Sequence, residues 1–139
     1  YLLATGTGLA PFMSLIRDPE LYARYKSVVL VHSVRTVAEL AYRDEIEALH
    51  NAQLHYVPTV TRERFPTPER GGDLFRAGML SQRLGLPAPG PEQDRVMICG
   101  NPAMTRELTN YLKDTGWTLT NHRGVGNFTT ELAFVVHHE

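Results

Sequence analysis

The sequence predicts an α/β domain: a five-stranded parallel sheet with helices on both faces and a short strand or extension at the C-terminus. Three observations point there. Short apolar runs, among them Leu2-Leu3-Ala4, Val28-Val29-Leu30-Val31 and Val96-Met97-Ile98, lack the polar alternation of a half-exposed sheet, as expected of strands covered on both faces. Segments with apolar residues at helical spacing alternate strictly with those runs. Each run also ends in something small or polar: Thr5-Gly6, His32-Ser33, Thr61-Arg62 and Cys99-Gly100. A single domain, residues 1–139, accounts for the chain, with no internal repeat or low-complexity tract.

In order, the first strand runs into Thr5-Gly6-Thr7-Gly8. Leu9 to Arg17 then carries Leu9, Phe12, Met13, Leu15 and Ile16 at helical spacing. Asp18-Pro19 ends that helix, and Leu21, Tyr22 and Tyr25 suggest a short second one. Ser27 to His32 reads as the second strand. Val37 to His50 is predicted helical, with Leu40, Ala41, Ile46 and Leu49 inward, Arg43, Asp44, Glu45 and Glu47 outward, and Tyr42 packed beside Leu40 and Ala41. Leu54 to Val60 is the third strand.

The polar stretch Thr61 to Asp73, with two prolines, a Gly-Gly pair and three arginines, is too long for an ordinary connection. Loops of that kind tend to carry function. Leu74 to Leu84 is predicted as one helix stopped by Gly85 and Pro87, and Ala88 to Asp94 as a connector. Arg95 to Cys99 is the fourth strand, Ala103 to Asp114 a helix and Trp117 to Thr120 the fifth strand. Asn121 to Thr129 reads as a loop, and Thr130 to Val136 alternates as a last strand.

A length of 139 residues suits one domain with its own core. With 14 basic and 15 acidic residues the chain is nearly neutral, which disfavours nucleic acid as a partner. One cysteine excludes an internal disulfide framework and fits a reducing, cytoplasmic setting. No apolar run approaches the ~20 residues of a membrane span, and the first residues lack the basic leader of a signal peptide. A strand feeding a ligand turn normally lies inside its sheet, yet this one opens the chain. The expectation is a piece of a longer protein with the missing part upstream.

Ligands of parallel sheets bind beyond the carboxyl ends of the strands, where four polar endings converge. Gly6 and Gly8 free the first turn from side chains that would block an anion, and Pro11 suits the start of the following helix. The residues depart from the common dinucleotide pattern twice. Pro11 replaces the third glycine, and the second strand ends in His32-Ser33-Val34-Arg35 without an acidic residue for ribose hydroxyls. Arg35, Arg62 and Arg70 instead suit a 2′-phosphate, so NADP is expected rather than NAD. The competing interpretation of each is a solvated loop arginine.

The chain resembles the ferredoxin–NADP reductases, in particular the bacterial flavodoxin/ferredoxin reductases. The matching stretches are Gly6-Thr7-Gly8-Leu9-Ala10-Pro11-Phe12, Val31-His32 with Arg35, Leu40-Ala41-Tyr42, Val60-Thr61-Arg62-Glu63, Ile98-Cys99-Gly100-Asn101-Pro102 with Met104, and Glu131-Leu132-Ala133-Phe134-Val135. They fall in the family's order and span nearly the whole sequence.

The resemblance implies the C-terminal NADP(H)-binding domain of an FAD-dependent enzyme that exchanges electrons with ferredoxin or flavodoxin. It also implies an upstream FAD-binding barrel, whose Arg-x-Tyr-Ser/Thr stretch this sequence lacks. By the same resemblance Thr5, Gly6, Thr7 and Gly8 would face the pyrophosphate. Arg35, Thr61, Arg62 and Arg70 would hold the 2′-phosphate and adenosine end, and Asn101, Pro102 and Met104 would shape the cofactor loop. Cys99 with Gly100 would lie beside the reacting nicotinamide and flavin, Glu131 would place the carboxamide or relay a proton, and Ala133-Phe134 would cover the flavin ring. Plant relatives end in tyrosine there, whereas here alanine is followed by Phe134 and five further residues.

The alternatives are a reductase domain serving free flavin or an oxygenase, or a non-catalytic nucleotide sensor. Cys99 also reads as a core cysteine at a strand end, Glu131 as an exposed carboxylate, and His32 as a strand-end histidine satisfied by its surroundings. Trp117 and Tyr111 are expected in the core. No His or Cys spacing resembles a zinc site, so no metal is expected. Without a flavin domain, an apolar face around Cys99 and Phe134 is expected to open and favour self-association.

Overall fold

The computed structural model describes residues 1–132. Strand β1 (Leu2–Thr5) lies at the centre of a five-stranded sheet, between β2 (Val28–Val34) and β4 (Val96–Gly100). The edges are β3 (Leu54–Val60) and β5 (Phe128–Leu132), giving the order β3-β2-β1-β4-β5. Every neighbouring pair is parallel; Leu3, for instance, faces Val31 on one side and Ile98 on the other. The chain starts at the middle, builds outward to β3, then crosses back to build β4 and β5. That reversal lies between β1 and β4, where a parallel sheet opens a crevice for ligands.

Among the described residues six α-helices cover the two faces: α1 (Ala10–Arg17), α2 (Pro19–Arg24), α3 (Arg43–Glu47), α4 (Gly71–Arg76), α5 (Met79–Leu84) and α6 (Pro102–Asp114). Alternate strand residues feed two separate cores. Leu3, Val29, Val31, Val96 and Ile98 pack with Leu74 and Phe75 of α4, Leu80 of α5, and Leu108 and Leu112 of α6. Leu2, Ala4, Val28, Leu30 and Cys99 pack with Phe12, Met13 and Ile16 of α1 and Ile46 of α3. All seven residues of β2 are buried, which explains the uninterrupted apolar run. Trp117 is buried in the first of these cores, and Tyr111 packs against it.

The structure corrects four sequence expectations. The helix predicted from Val37 to His50 contracts to a 3₁₀ turn, Val37–Glu39, and α3. A capping box between Thr36 and Glu39 starts the 3₁₀ turn, and Tyr42 takes a left-handed backbone with φ 62° that separates the two pieces. Leu40 and Ile46 reach the interior, but Ala41 is exposed and Tyr42 is 47% exposed rather than packed. The helix predicted from Leu74 to Leu84 is two, because Gly78 adopts φ 72° between α4 and α5. Its first part begins at Gly71, inside the expected loop.

The fourth correction concerns the sheet edge. Trp117 to Thr120 is not a ladder strand, since only Leu119 bridges Phe128. The stretch instead turns the Trp117 ring into the core. The fifth strand begins two residues early, at Phe128 and Thr129 of the expected loop. Phe128, 1% exposed, pairs with Val96 and carries β5 onto the sheet. Thr130 to Leu132 of the predicted last strand belong to β5, and the remainder lies outside the described residues.

Candidate functional site

The turn after β1 is a 3₁₀ turn, Gly6–Leu9, that runs directly into α1 with Pro11 in its first turn. Its two glycines serve different needs. Gly6 has φ +49°, the left-handed region that L side chains resist, with open space around its Cα. Gly8 is required by proximity: a Cβ there would stand 2.1 Å from the carbonyl oxygen of Cys99. The turn is braced from β2 by His32, 0% exposed, whose Nε2 lies 2.8 Å from the Gly6 carbonyl oxygen.

The end of β4 is fastened to the same turn. Asn101 donates its backbone N–H to Thr5 Oγ1 at 2.9 Å, and its side-chain Oδ1 accepts the Met104 N–H at 2.8 Å as the N-cap of α6. Asn101 thus starts a helix and ties two strand ends together.

The long loop after β3 is anchored at several points. Phe65 packs on Val34, Leu40 and Val60, with the Arg43 guanidinium 5.5 Å above its ring. Glu63 accepts the Val37 N–H at 3.1 Å, and Thr67 accepts the Val60 N–H at 3.1 Å. The Arg62 N–H donates to the Arg35 carbonyl at 2.9 Å, placing the two arginines side by side in the backbone. At the loop's far end Glu69 pairs with Arg83 at 2.8 Å.

These elements enclose a cleft of about 930 Å³ at the carboxyl ends of β1 to β4. Of the residues singled out from the sequence, Thr5, Gly6, Thr7, Arg35, Thr61, Arg62, Arg70, Asn101 and Met104 line it. Four carboxylates also face it, but three are engaged by cations and the fourth caps a turn. Glu69 is held by Arg83, Asp73 and Glu107 by Arg76, and Glu39 accepts from the Thr36 N–H. Arg35, Arg62 and Arg70 have no acidic partner among the described residues. Three guanidinium groups without an acidic partner give this cleft a local excess of positive charge.

Gly8, Cys99, Gly100, Pro102 and Glu131 stand outside the cleft lining. Gly8 works from behind by letting the turn approach β4. Cys99, 2% exposed, sits in the core under α1. Burial, and secondarily the Glu131 carboxylate paired with it in the β4–β5 register, raises its thiol pKa above the ordinary value. The Cys99 side chain is covered by α1 and the neighbouring strands, and the part of the expected apolar face around Phe134 lies outside the described residues. Glu131 is exposed at the sheet edge. Ala133 and Phe134 lie outside the described residues.

Sequence reasoning passed over several residues. Ser33, Asp73, Arg76 and Glu107 line the cleft, and buried Thr59 supports it from behind. The polar pair His32-Ser33 closing an otherwise apolar strand was the available signal. His32 is only half satisfied, since its Nδ1 is buried without a partner. Among the described residues, no three or more His, Cys, Asp or Glu side chains gather as a metal site. No helix there is long and apolar enough to cross a membrane.

The sequence pattern described as "oxidoreductase NAD-binding domain" matches residues 2–110. A ferredoxin–NADP reductase of Pseudomonas aeruginosa is 46% identical over 97% of this chain and 57% of its own length. A flavodoxin/ferredoxin–NADP reductase of Rhodobacter capsulatus is 39% identical over 97% of this chain and 54% of its own. The crystal structure of a ferredoxin NADP+ reductase from Neisseria gonorrhoeae with bound FAD and NADP superposes with TM-score 0.86 at 34% identity, over 96% of this chain and 55% of that one. A flavohemoglobin from Malassezia yamatoensis, 19% identical with TM-score 0.63, shares the fold alone. The chain spans a little over half the length of the curated relatives it matches most fully.

Proposed function

Since the chain belongs to the oxidoreductase NAD-binding domain family, we propose that it is the NADP(H)-binding domain of a ferredoxin–NADP reductase. One observation carries this reading: Arg35 and Arg62, joined backbone to backbone, line with Arg70 a cleft that Thr5, Gly6 and Thr7 of the first turn also line. Guanidinium charge and backbone N–H groups in one cleft fit a dinucleotide with an extra phosphate.

The residues divide the work. The Thr5-Gly6-Thr7-Gly8 turn receives the diphosphate, with His32 behind it fixing the Gly6 carbonyl. Arg35, Thr61, Arg62 and Arg70 bind the 2′-phosphate and adenosine end. Asn101 and Met104 form the wall at the head of α6, the helix that Pro102 starts. Hydride transfer between nicotinamide and flavin is the chemistry the bound cofactors supply, and the protein contributes position and exclusion of water. Cys99 is held as a neutral thiol, a compact polarisable packing group near the end of β4. Glu131, opposite it in register, is the acid available to place a carboxamide or hold a proton.

The whole enzyme on this reading carries an upstream FAD domain, works in the cytoplasm and exchanges electrons with ferredoxin or flavodoxin. Isothermal titration of this chain tests the core of it. NADP+ should bind, and NAD+ should bind at least about tenfold more weakly, the size of a charge-assisted contact. No heat with NADP+, or equal affinity for the two nucleotides, would overturn the reading.

A further inference from the structure

A hydroxyl proton without a partner faces the cleft. Ser33 Oγ lies 2.9 Å from Thr59 Oγ1 and 2.8 Å from the Gly71 N, which can only donate to it. Thr59 is 0% exposed and has no acceptor for its hydroxyl except Ser33. If Ser33 donated to Thr59, the Thr59 proton would be stranded in the interior, a costly arrangement. The assignment that satisfies every buried donor has Thr59 and Gly71 both giving to Ser33. Ser33 has then filled both lone pairs and still owns a proton to give.

The position of that proton suggests its recipient. Ser33 is 9% exposed and lines the cleft. Arg35 follows two residues later on the returning side of the extended chain, and Arg70 directly precedes Gly71. Both arginines line the same cleft. A donor that shares a cleft with two guanidinium groups lacking an acidic partner is complementary to the oxygens of one phosphate. We propose that the Ser33 hydroxyl is a specificity determinant, donating to the adenosine 2′-phosphate between Arg35 and Arg70; this rests on the nucleotide reading above. Gly71 belongs to the same device, because a Cβ there would stand 2.7 Å from Ser33 Oγ.

Titration calorimetry of the full chain with NADP+ and with NAD+ separates a donor from a brace. Ser33→Ala should weaken NADP+ about tenfold, the size of one hydrogen bond to a charged group, and leave NAD+ within about twofold. Thr59→Val removes a brace but not the donor, and should leave the NADP+/NAD+ ratio within about twofold of the parent. Ser33→Cys, of similar size with a weak S–H donor, should shift the ratio in the same direction as Ser33→Ala and serves if that variant unfolds. Equal weakening of both nucleotides by Ser33→Ala, a matching loss in Thr59→Val, or no change at all would overturn the assignment. A parent chain that binds neither nucleotide would instead fail the nucleotide reading itself.

Discussion

His32 Nε2 meets the Gly6 carbonyl oxygen at 2.8 Å, and because that oxygen only accepts, the ring carries its proton on Nε2. The lone pair is left on Nδ1, buried and unpartnered. Burial pushes the imidazole pKa down, against the smaller opposing influence of the Gly6 bond and the Glu39 carboxylate. A neutral ring is therefore part of the folded turn. His32→Leu should destabilise the chain by about 1–3 kcal/mol in urea unfolding, the cost of stranding a buried carbonyl. Acid adds a signed effect. The unfolded chain takes up this proton near pH ~6.5 while the folded one resists, so stability falls as pH drops below that value. The pH slope between 7 and 5 should be shallower in the variant than in the parent.

The two glycines of the turn should separate on substitution. Gly8→Ala drives a Cβ into the Cys99 carbonyl, and the turn must move off β4. A loss of about 3 kcal/mol in denaturant unfolding is expected, near the upper end for overpacking. Gly6→Ala meets nothing within 4 Å and bears only its left-handed backbone, so about 1 kcal/mol is expected.

Arg62→Ala and Arg35→Ala should each weaken NADP+ at least about tenfold, from loss of a charge-assisted contact. NAD+ affinity should change little. Calorimetry at two salt concentrations adds a check, since the parent should lose NADP+ affinity with salt more steeply than either variant.

Cys99 should resist alkylation. With its side chain buried and its thiolate disfavoured by burial and by Glu131, iodoacetamide at pH 8 should label the native chain at least about a hundredfold more slowly than the urea-unfolded chain. Rapid native labelling, followed by mass spectrometry, would contradict the buried placement.

The sheet was legible because covered parallel strands write themselves as apolar runs; β2 is buried throughout, and β1 and β4 are buried at most of their positions. The Thr/Gly turn and the arginines were legible from residue type and order: Arg35 and Arg62 each lie within two residues of a strand end, so a parallel sheet had to bring them to one edge. What failed was local. Nothing in the periodicity of residues 37–50 announces the left-handed turn at Tyr42, and Gly78 looks like a tolerable helix glycine until its φ is known. Trp117 and Phe128 are both strand-prone, and only core packing assigns the ladder to Phe128. Ser33 was hidden for another reason. Its significance lies in partners 26 and 38 residues away, which no linear pattern displays.

The placing of β1 also bears on how the protein acquires activity. Leu2 is zipped to Leu30 on one side and to Met97 on the other, so the strand that feeds the ligand turn is flanked by partners remote along the chain. Contacts so remote along the chain close late and slowly. Nucleotide affinity during refolding should therefore emerge with the final cooperative step, not with early helix formation.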